Sequence, residues 1–289
     1  MTAQQIPVVF PCNGETLVGM IHRPSAPVSR GVVVVVGGPQ YRIGSHRQFL
    51  LLARELCSRG IAVMRFDYRG MGDSTGEPVD FMATGPDIRA AIDTLLEHVS
   101  EVESVALWGL CDAASGVLAY GHSDARVDGL VILNPWVRSE AGLARTTLRE
   151  YYLGRIADPA FWRGLFSGKV NIGAAVRSLA DTVTSVFRPR SEASSGPVEE
   201  TVVAADDGAF IETMRAGLAK FSGPVLLVLS GDDLTAGEFR DVARGRPWRK
   251  LLSRKNVTRR ELDSANHTFS RAEWRTQVAD WTWEWLQAW

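Results

Sequence analysis

The chain has 289 residues, of which 45% are hydrophobic and 22% charged, and a formal charge of −1. That is enough for one large α/β domain with an insertion or two modest domains, and it gives no reason to expect nucleic acid as a partner. Its three cysteines are too few and too scattered for a disulfide framework or a zinc site, so neither metal nor cofactor is expected.

Met1–Pro7 lacks the pattern of a signal peptide, and no apolar run nears the roughly 18 residues of a spanning helix. A cytoplasmic protein with no stable membrane anchor is expected. Val8–Pro11 and Thr16–His22 flank an Asn13-Gly14 turn and predict an antiparallel pair at a sheet edge. Val32–Val36 is five consecutive valines, a strand buried on both faces, stopped by Gly37-Gly38-Pro39. His46–Arg59 has a helical apolar stripe (Phe49, Leu50, Ala53, Leu56, Cys57) closed by Gly60. Ile61–Tyr68 is the next strand, followed by the glycine-rich turn Arg69–Ser74, and Asp87–Val99 is an amphipathic helix.

Ser104–Gly109 reads as a strand followed at once by Leu110-Cys111-Asp112 and a run of small residues. Leu130–Leu133, Pro224–Ser230 and Val257–Leu262 complete the strands. A last helix from about Arg271 carries Trp274, Val278, Trp281, Trp285 and Trp289 at core-packing spacing. The basic run Arg246, Arg249, Lys250, Arg254, Lys255, Arg259 and Arg260 reads as a solvated helix face. Strands alternating with helices predict an α/β fold with a mostly parallel central sheet. Between Leu133 and Pro224 lie some ninety residues without a strong strand. A compact fold does not carry a bare loop of that length. The expected division is a core of 1–138 and 223–289 with a helical cap over 139–222.

Trp108-Gly109-Leu110-Cys111-Asp112-Ala113-Ala114-Ser115 stands where a strand turns into a helix, the setting of a nucleophile elbow. So sharp a turn brings together the residues two before and two after its apex, and Gly109 and Ala113 are small. Cys111 at a helix N-terminus is favoured as thiolate, the reactive form. The Asp112 N–H faces a developing oxyanion, with the second donor expected from Gly38 or Gln40, since Pro39 has none. Among five histidines, only His267, between the last strand and the last helix, stands where the base belongs. The acid is expected after the preceding strand, at Asp233 in preference to Asp232. Nucleophile, acid, histidine is the α/β-hydrolase order. Tyr41, Arg42, His46 and Arg47 flank the expected oxyanion loop and could meet a substrate carboxylate or phosphate, or else be solvated mouth residues or pair with acidic residues of the cap.

With these residues the chain resembles the α/β-hydrolase superfamily along its length outside the cap. Gly37-Gly38-Pro39-Gln40-Tyr41-Arg42, Gly44-Ser45-His46-Arg47, Gly109–Ser115 and Asn266-His267 are similar to the exosortase-A-associated hydrolases, which accompany bacterial exopolysaccharide and protein-sorting systems. That resemblance implies a bacterial cytoplasmic hydrolase. The elbow departs from Gly-x-Ser-x-Gly at Cys111 and Ala113. Dienelactone hydrolases also carry cysteine there, so the expected activity is hydrolysis or acyl transfer on a small-molecule ester, thioester or lactone. The alternative is a catalytically idle hydrolase fold serving as a scaffold.

Overall fold

Five consecutive valines set the centre of the sheet. The computed structural model describes residues 4–26, 29–38, 40–137 and 208–288. In it, strand β3 (Arg30–Val35) and the residue after it keep Val32 to Val36 at 1% exposure or less. The side chains alternate: Val33 and Val35 enter one apolar layer, Val32, Val34 and Val36 the other. Fully burying one such side chain stabilises the fold by about 1.5–3 kcal/mol. A strand covered on both faces therefore belongs in the middle.

Strands β4 (Ala62–Asp67) and β5 (Ser104–Leu110) pair parallel on either side of β3. Beyond β5, strands β6 (Val127–Leu133), β7 (Val225–Ser230) and β8 (Val257–Leu262) continue in parallel. On the far side, β1 (Gln4–Cys12) and β2 (Glu15–Arg23) form the expected hairpin, with Asn13 and Gly14 both at positive φ, and β2 runs antiparallel to β4. The sheet order is β1-β2-β4-β3-β5-β6-β7-β8. This is the α/β-hydrolase fold.

Helices α1 (Gln48–Ser58) and α7 (Ala272–Gln287) cover one face of the sheet. Helices α2 (Gly85–His98), α3 (Asp112–Tyr120) and α4 (Ala209–Lys220) cover the other, joined by residues of α5 (Leu234–Ala243) and α6 (Arg246–Leu252). Residues up to 137 and from 208 onward form one compact unit. Of the expected cap, 139–222, the part up to position 207 lies outside the described residues. Ala209–Lys220, within the same range, is a helix whose Gly217 lies against the Leu118 carbonyl of α3.

Three boundaries differ from expectation for physical reasons. The helix expected over His46–Arg59 begins at Gln48, because His46 and Arg47 both sit in the left-handed region (φ 53° and 60°). Helix α5 was not expected, since the polar stretch after Asp233 carries a weak apolar stripe, whereas α6 begins the basic run. The basic run is helical only over its first part. Arg254 instead donates to the Leu218 and Phe221 carbonyls, while Arg259 and Arg260 stand on the edge strand β8, where charge discourages pairing with another chain. In α7, Val278 and Trp285 are buried and Trp274 and Trp281 pack against the same layer, whereas Trp289 lies outside the described residues.

Candidate active site

Every strand from β3 onward runs parallel, so the loops after β3, β5, β7 and β8 open at the same end of the sheet. Open α/β sheets carry their sites at that end. The elbow is there. Cys111 joins β5 to α3 with φ 63° and ψ −128°, a conformation sparsely populated by non-glycine residues. Three backbone hydrogen bonds hold it: Cys111 N–H donates to the Leu133 carbonyl (3.0 Å), and the Cys111 carbonyl accepts from Ser115 (3.3 Å) and Trp136 (3.2 Å). A side chain at position 109 would put its Cβ 2.8 Å from the Ala113 carbonyl, so the tight crossing admits only glycine there. Cys111 is partly exposed, whereas Cys12 and Cys57 are buried. Burial pushes the Cys57 thiol up to about 11 and also raises Cys12.

His267 Nδ1 lies 2.9 Å from Asp233 Oδ2. Asp233, with its side chain only 5% exposed, also caps α5 by accepting from Thr235 and Ala236 N–H (3.2 and 3.1 Å). The cap fixes the carboxylate, and the carboxylate fixes the imidazole. Asp232 is exposed, and its N–H donates to the Ala265 carbonyl at 3.0 Å, tying the acid loop to the histidine loop. The structure therefore brings Asp233, not Asp232, against His267.

Asn134 directly follows the last residue of β6. It is fully buried, and its amide nitrogen donates to the Ser230 hydroxyl (2.8 Å) and to the His267 carbonyl (3.1 Å). Its oxygen accepts from Ser230 N–H at 2.8 Å, and the Ser230 hydroxyl donates to the Asn266 carbonyl. Asn134 and Ser230, at the ends of β6 and β7, thus anchor the segment that carries His267. The signal available was a polar residue directly after the apolar run Leu130–Leu133.

The oxyanion region holds a finding the sequence did not suggest. Asp112 Oδ2 accepts the Gly38 N–H at 2.7 Å, and its other oxygen accepts from Ala113 N–H at 2.8 Å. A Cβ at position 37 would lie 2.0 Å from Asp112 Oδ1, so only glycine leaves room for this carboxylate. Gln40 N–H donates to the Gly38 carbonyl at 2.7 Å. Both expected second donors are thereby engaged within the protein. Desolvation raises the Asp112 carboxyl above the usual range, opposed by N–H donors from Gly38 and Ala113 and by the nearby His267.

The four flanking residues separate. Arg42 is committed to the core: its guanidinium pairs with the fully buried Asp67 and with Asp73, and its N–H donates to Asp67 at 2.6 Å. Tyr41 stacks against Arg42 and donates its hydroxyl to Asp73 at 2.7 Å. Their acidic partners belong to β4 and the glycine-rich turn after it. His46 and Arg47 are exposed. Among the described residues no group of three His, Cys, Asp or Glu side chains is arranged to hold a metal ion, and no helix is long and apolar enough to cross a membrane.

The family model described as serine aminopeptidase S33 matches residues 27–238. The chain is 27% identical over 136 residues to the quorum-quenching protein AidA of Acinetobacter baumannii, covering 45% of this chain and 43% of that one. It spans less than half the length of the curated relatives it matches. Among solved structures, the Pyrococcus furiosus esterase Pf2001 superposes with a TM-score of 0.65 at 14% identity, covering 99% of this chain and 92% of that one. The esterase Est1E of Butyrivibrio proteoclasticus, with ferulic acid bound, superposes at 0.61 with 14% identity, over 97% and 99%. At such identities these structures speak for the fold alone.

Proposed function

This chain belongs to the serine aminopeptidase S33 family of α/β-hydrolases, and from that membership we propose that it hydrolyses or transfers the acyl group of a small ester, thioester or lactone through Cys111. The observation that carries this reading is the 2.9 Å bond between His267 Nδ1 and Asp233 Oδ2, on loops at the same sheet end as an elbow whose apex is a partly exposed cysteine. The S33 name specifies serine. A cysteine at the apex changes the chemistry and keeps the geometry.

With Nδ1–H donated to Asp233, His267 keeps Nε2 free to take the Cys111 proton. The thiolate attacks the acyl carbon, and the carbonyl π electrons move to oxygen. The Asp112 N–H meets that oxyanion. Gly38 N–H becomes the second donor when the Asp112 carboxylate releases it. The intermediate collapses, the leaving oxygen or sulfur takes the proton from His267, and an acyl-thioester remains on Cys111. Water or an acceptor alcohol then loses a proton to His267 and attacks the thioester. The Cys111 sulfur leaves and regains the proton.

Within the family, the motifs around Gly37–Arg42, Gly44–Arg47 and Gly109–Ser115 support assignment to the exosortase-A-associated hydrolases, acting in the bacterial cytoplasm. A second reading, an idle scaffold, draws on the same Asp112 carboxylate, which occupies the Gly38 N–H. Acid-quenched reaction with p-nitrophenyl butyrate, followed by peptide mass spectrometry, separates the two. The hydrolase reading expects a butyryl group on Cys111 that is lost on standing in buffer. No adduct, or one that never turns over, supports the scaffold.

A further inference from the structure

The residue after Cys111 holds a donor that the acyl reaction needs. Asp112 opens α3, and its side chain reaches the loop after β3. There Oδ2 accepts the Gly38 N–H at 2.7 Å, while Oδ1 accepts the Ala113 N–H at 2.8 Å. Gly37 makes room for it, since a Cβ at that position would stand 2.0 Å from Oδ1. Desolvation opposes the charge of this carboxylate. The N–H groups of Gly38, Ala113 and Asp112 itself favour it, as does the nearby His267. Both proposed oxyanion donors and the proposed base thus act on a side chain of the protein.

A carboxylate oxygen resembles the oxyanion that forms when an acyl carbon is attacked. Each is a negatively charged acceptor that draws N–H donors to about 2.7–3.1 Å. Asp112 Oδ2 therefore competes with the oxyanion for the Gly38 N–H. Losing one such donor costs an enzyme on the order of 10²–10³ in kcat. We propose that the Asp112 side chain is an autoinhibitory stand-in for the oxyanion, which must turn away before the site can hold the transition state; this role rests on Cys111 acting as the thiolate that accepts the acyl group. In the resting protein the hole is filled from within, and the strength of the Asp112–Gly38 bond limits the rate of acylation.

A butyl trifluoromethyl ketone is the probe. The Cys111 thiolate adds to its carbonyl carbon, the C–S bond forms and the π pair moves to oxygen. The product is a hemithioketal oxyanion with no leaving group to expel. Fluorine NMR identifies the adduct, and inhibition of p-nitrophenyl butyrate turnover gives its affinity. Asp112→Ala is expected to bind the ketone at least about ten-fold more tightly than native, with kcat/KM for the ester raised in parallel. Asp112→Asn keeps an acceptor for Gly38 and loses only the charge, so its affinity is expected to fall between the two. If circular dichroism shows Asp112→Ala to be unfolded, Asp112→Ser carries the same expectation. Its hydroxyl can still accept an N–H at the start of α3 but is too short to reach Gly38. Ketone affinity at or below native in the folded variant would make the carboxylate a brace for the hole and overturn the autoinhibitory role alone. Asp112→Asn matching the shortened variant would place the whole effect in the charge and overturn that role too. No hemithioketal in any of these proteins would overturn the thiolate reading together with it.

Discussion

Asp112 Oδ2 accepts the Gly38 N–H at 2.7 Å, so a carboxylate next to the elbow apex bridges to the loop after β3. That group is partly desolvated and its carboxyl is raised. A carboxyl raised in the folded state favours folding while protonated, and that contribution is lost as pH rises from the ordinary carboxylate range through the folded value. Asp112→Asn keeps an acceptor for Gly38 without the charge. Its stability relative to native, from urea unfolding, is expected to increase from pH 4 to pH 7. A pH-independent difference would show that the carboxylate is not held against desolvation.

Asn134 should act on rate through His267 without touching substrate. Asn134→Ala leaves the buried Ser230 N–H and the His267 carbonyl without their partner, a loss of about 1–3 kcal/mol. Ester turnover is expected to fall about ten- to hundred-fold in kcat with KM little changed. Asn134→Asp can accept from Ser230 N–H but cannot donate to the His267 carbonyl, so it should recover stability more than kcat. Equal recovery of both would make Asn134 a purely structural residue.

The two acids should rank unequally. Asp233→Asn weakens the carboxylate–imidazole bond and is expected to cut kcat by on the order of 10³–10⁴. Asp232→Asn, exposed and engaged only through its backbone N–H in the bonds described above, should stay within about three-fold of native, a surface substitution away from any such bond. The reverse ranking in steady-state kinetics would move the acid by one residue.

His22 is an acid-sensitive point of the fold. It is 1% exposed, and burial first, then Arg65, lowers it from 6.5 to about 4. Its Nε2 accepts from Arg65 at 3.2 Å, which requires the neutral ring. A depressed base contributes stability that is present above about 6.5 and lost as pH falls through about 4, here on the order of 1–3 kcal/mol. His22→Gln should flatten that part of the stability profile. An unchanged slope would assign the acid sensitivity elsewhere.

The sheet and the elbow were legible from local signals, and the His267–Asp233 contact from chain order, each residue standing in the loop after one of the last two strands. Five valines make a central strand, and small residues two positions either side of Cys111 allow the sharp turn. Asn134 was not legible, because its partners, Ser230 and His267, are distant in sequence and a polar residue after a strand reads as punctuation. The Asp112–Gly38 bond was hidden for a related reason. An acidic residue at a helix start is ordinarily a favourable charge on the helix dipole, and only the fold brings Gly37 and Gly38 against it. Arg42 looked like a mouth residue because Asp67, its buried partner, sits at the end of a strand twenty-five positions away.

Turnover of p-nitrophenyl butyrate by native protein and by single-cysteine variants tests the thiol nucleophile most directly. Cys111→Ala is expected to abolish turnover, Cys111→Ser to leave a poor enzyme, and Cys12→Ala and Cys57→Ala, at buried positions, to retain near-native rates if folded. Circular dichroism of each variant separates lost chemistry from lost structure. A folded Cys111→Ala protein with full activity would contradict the role given to that residue.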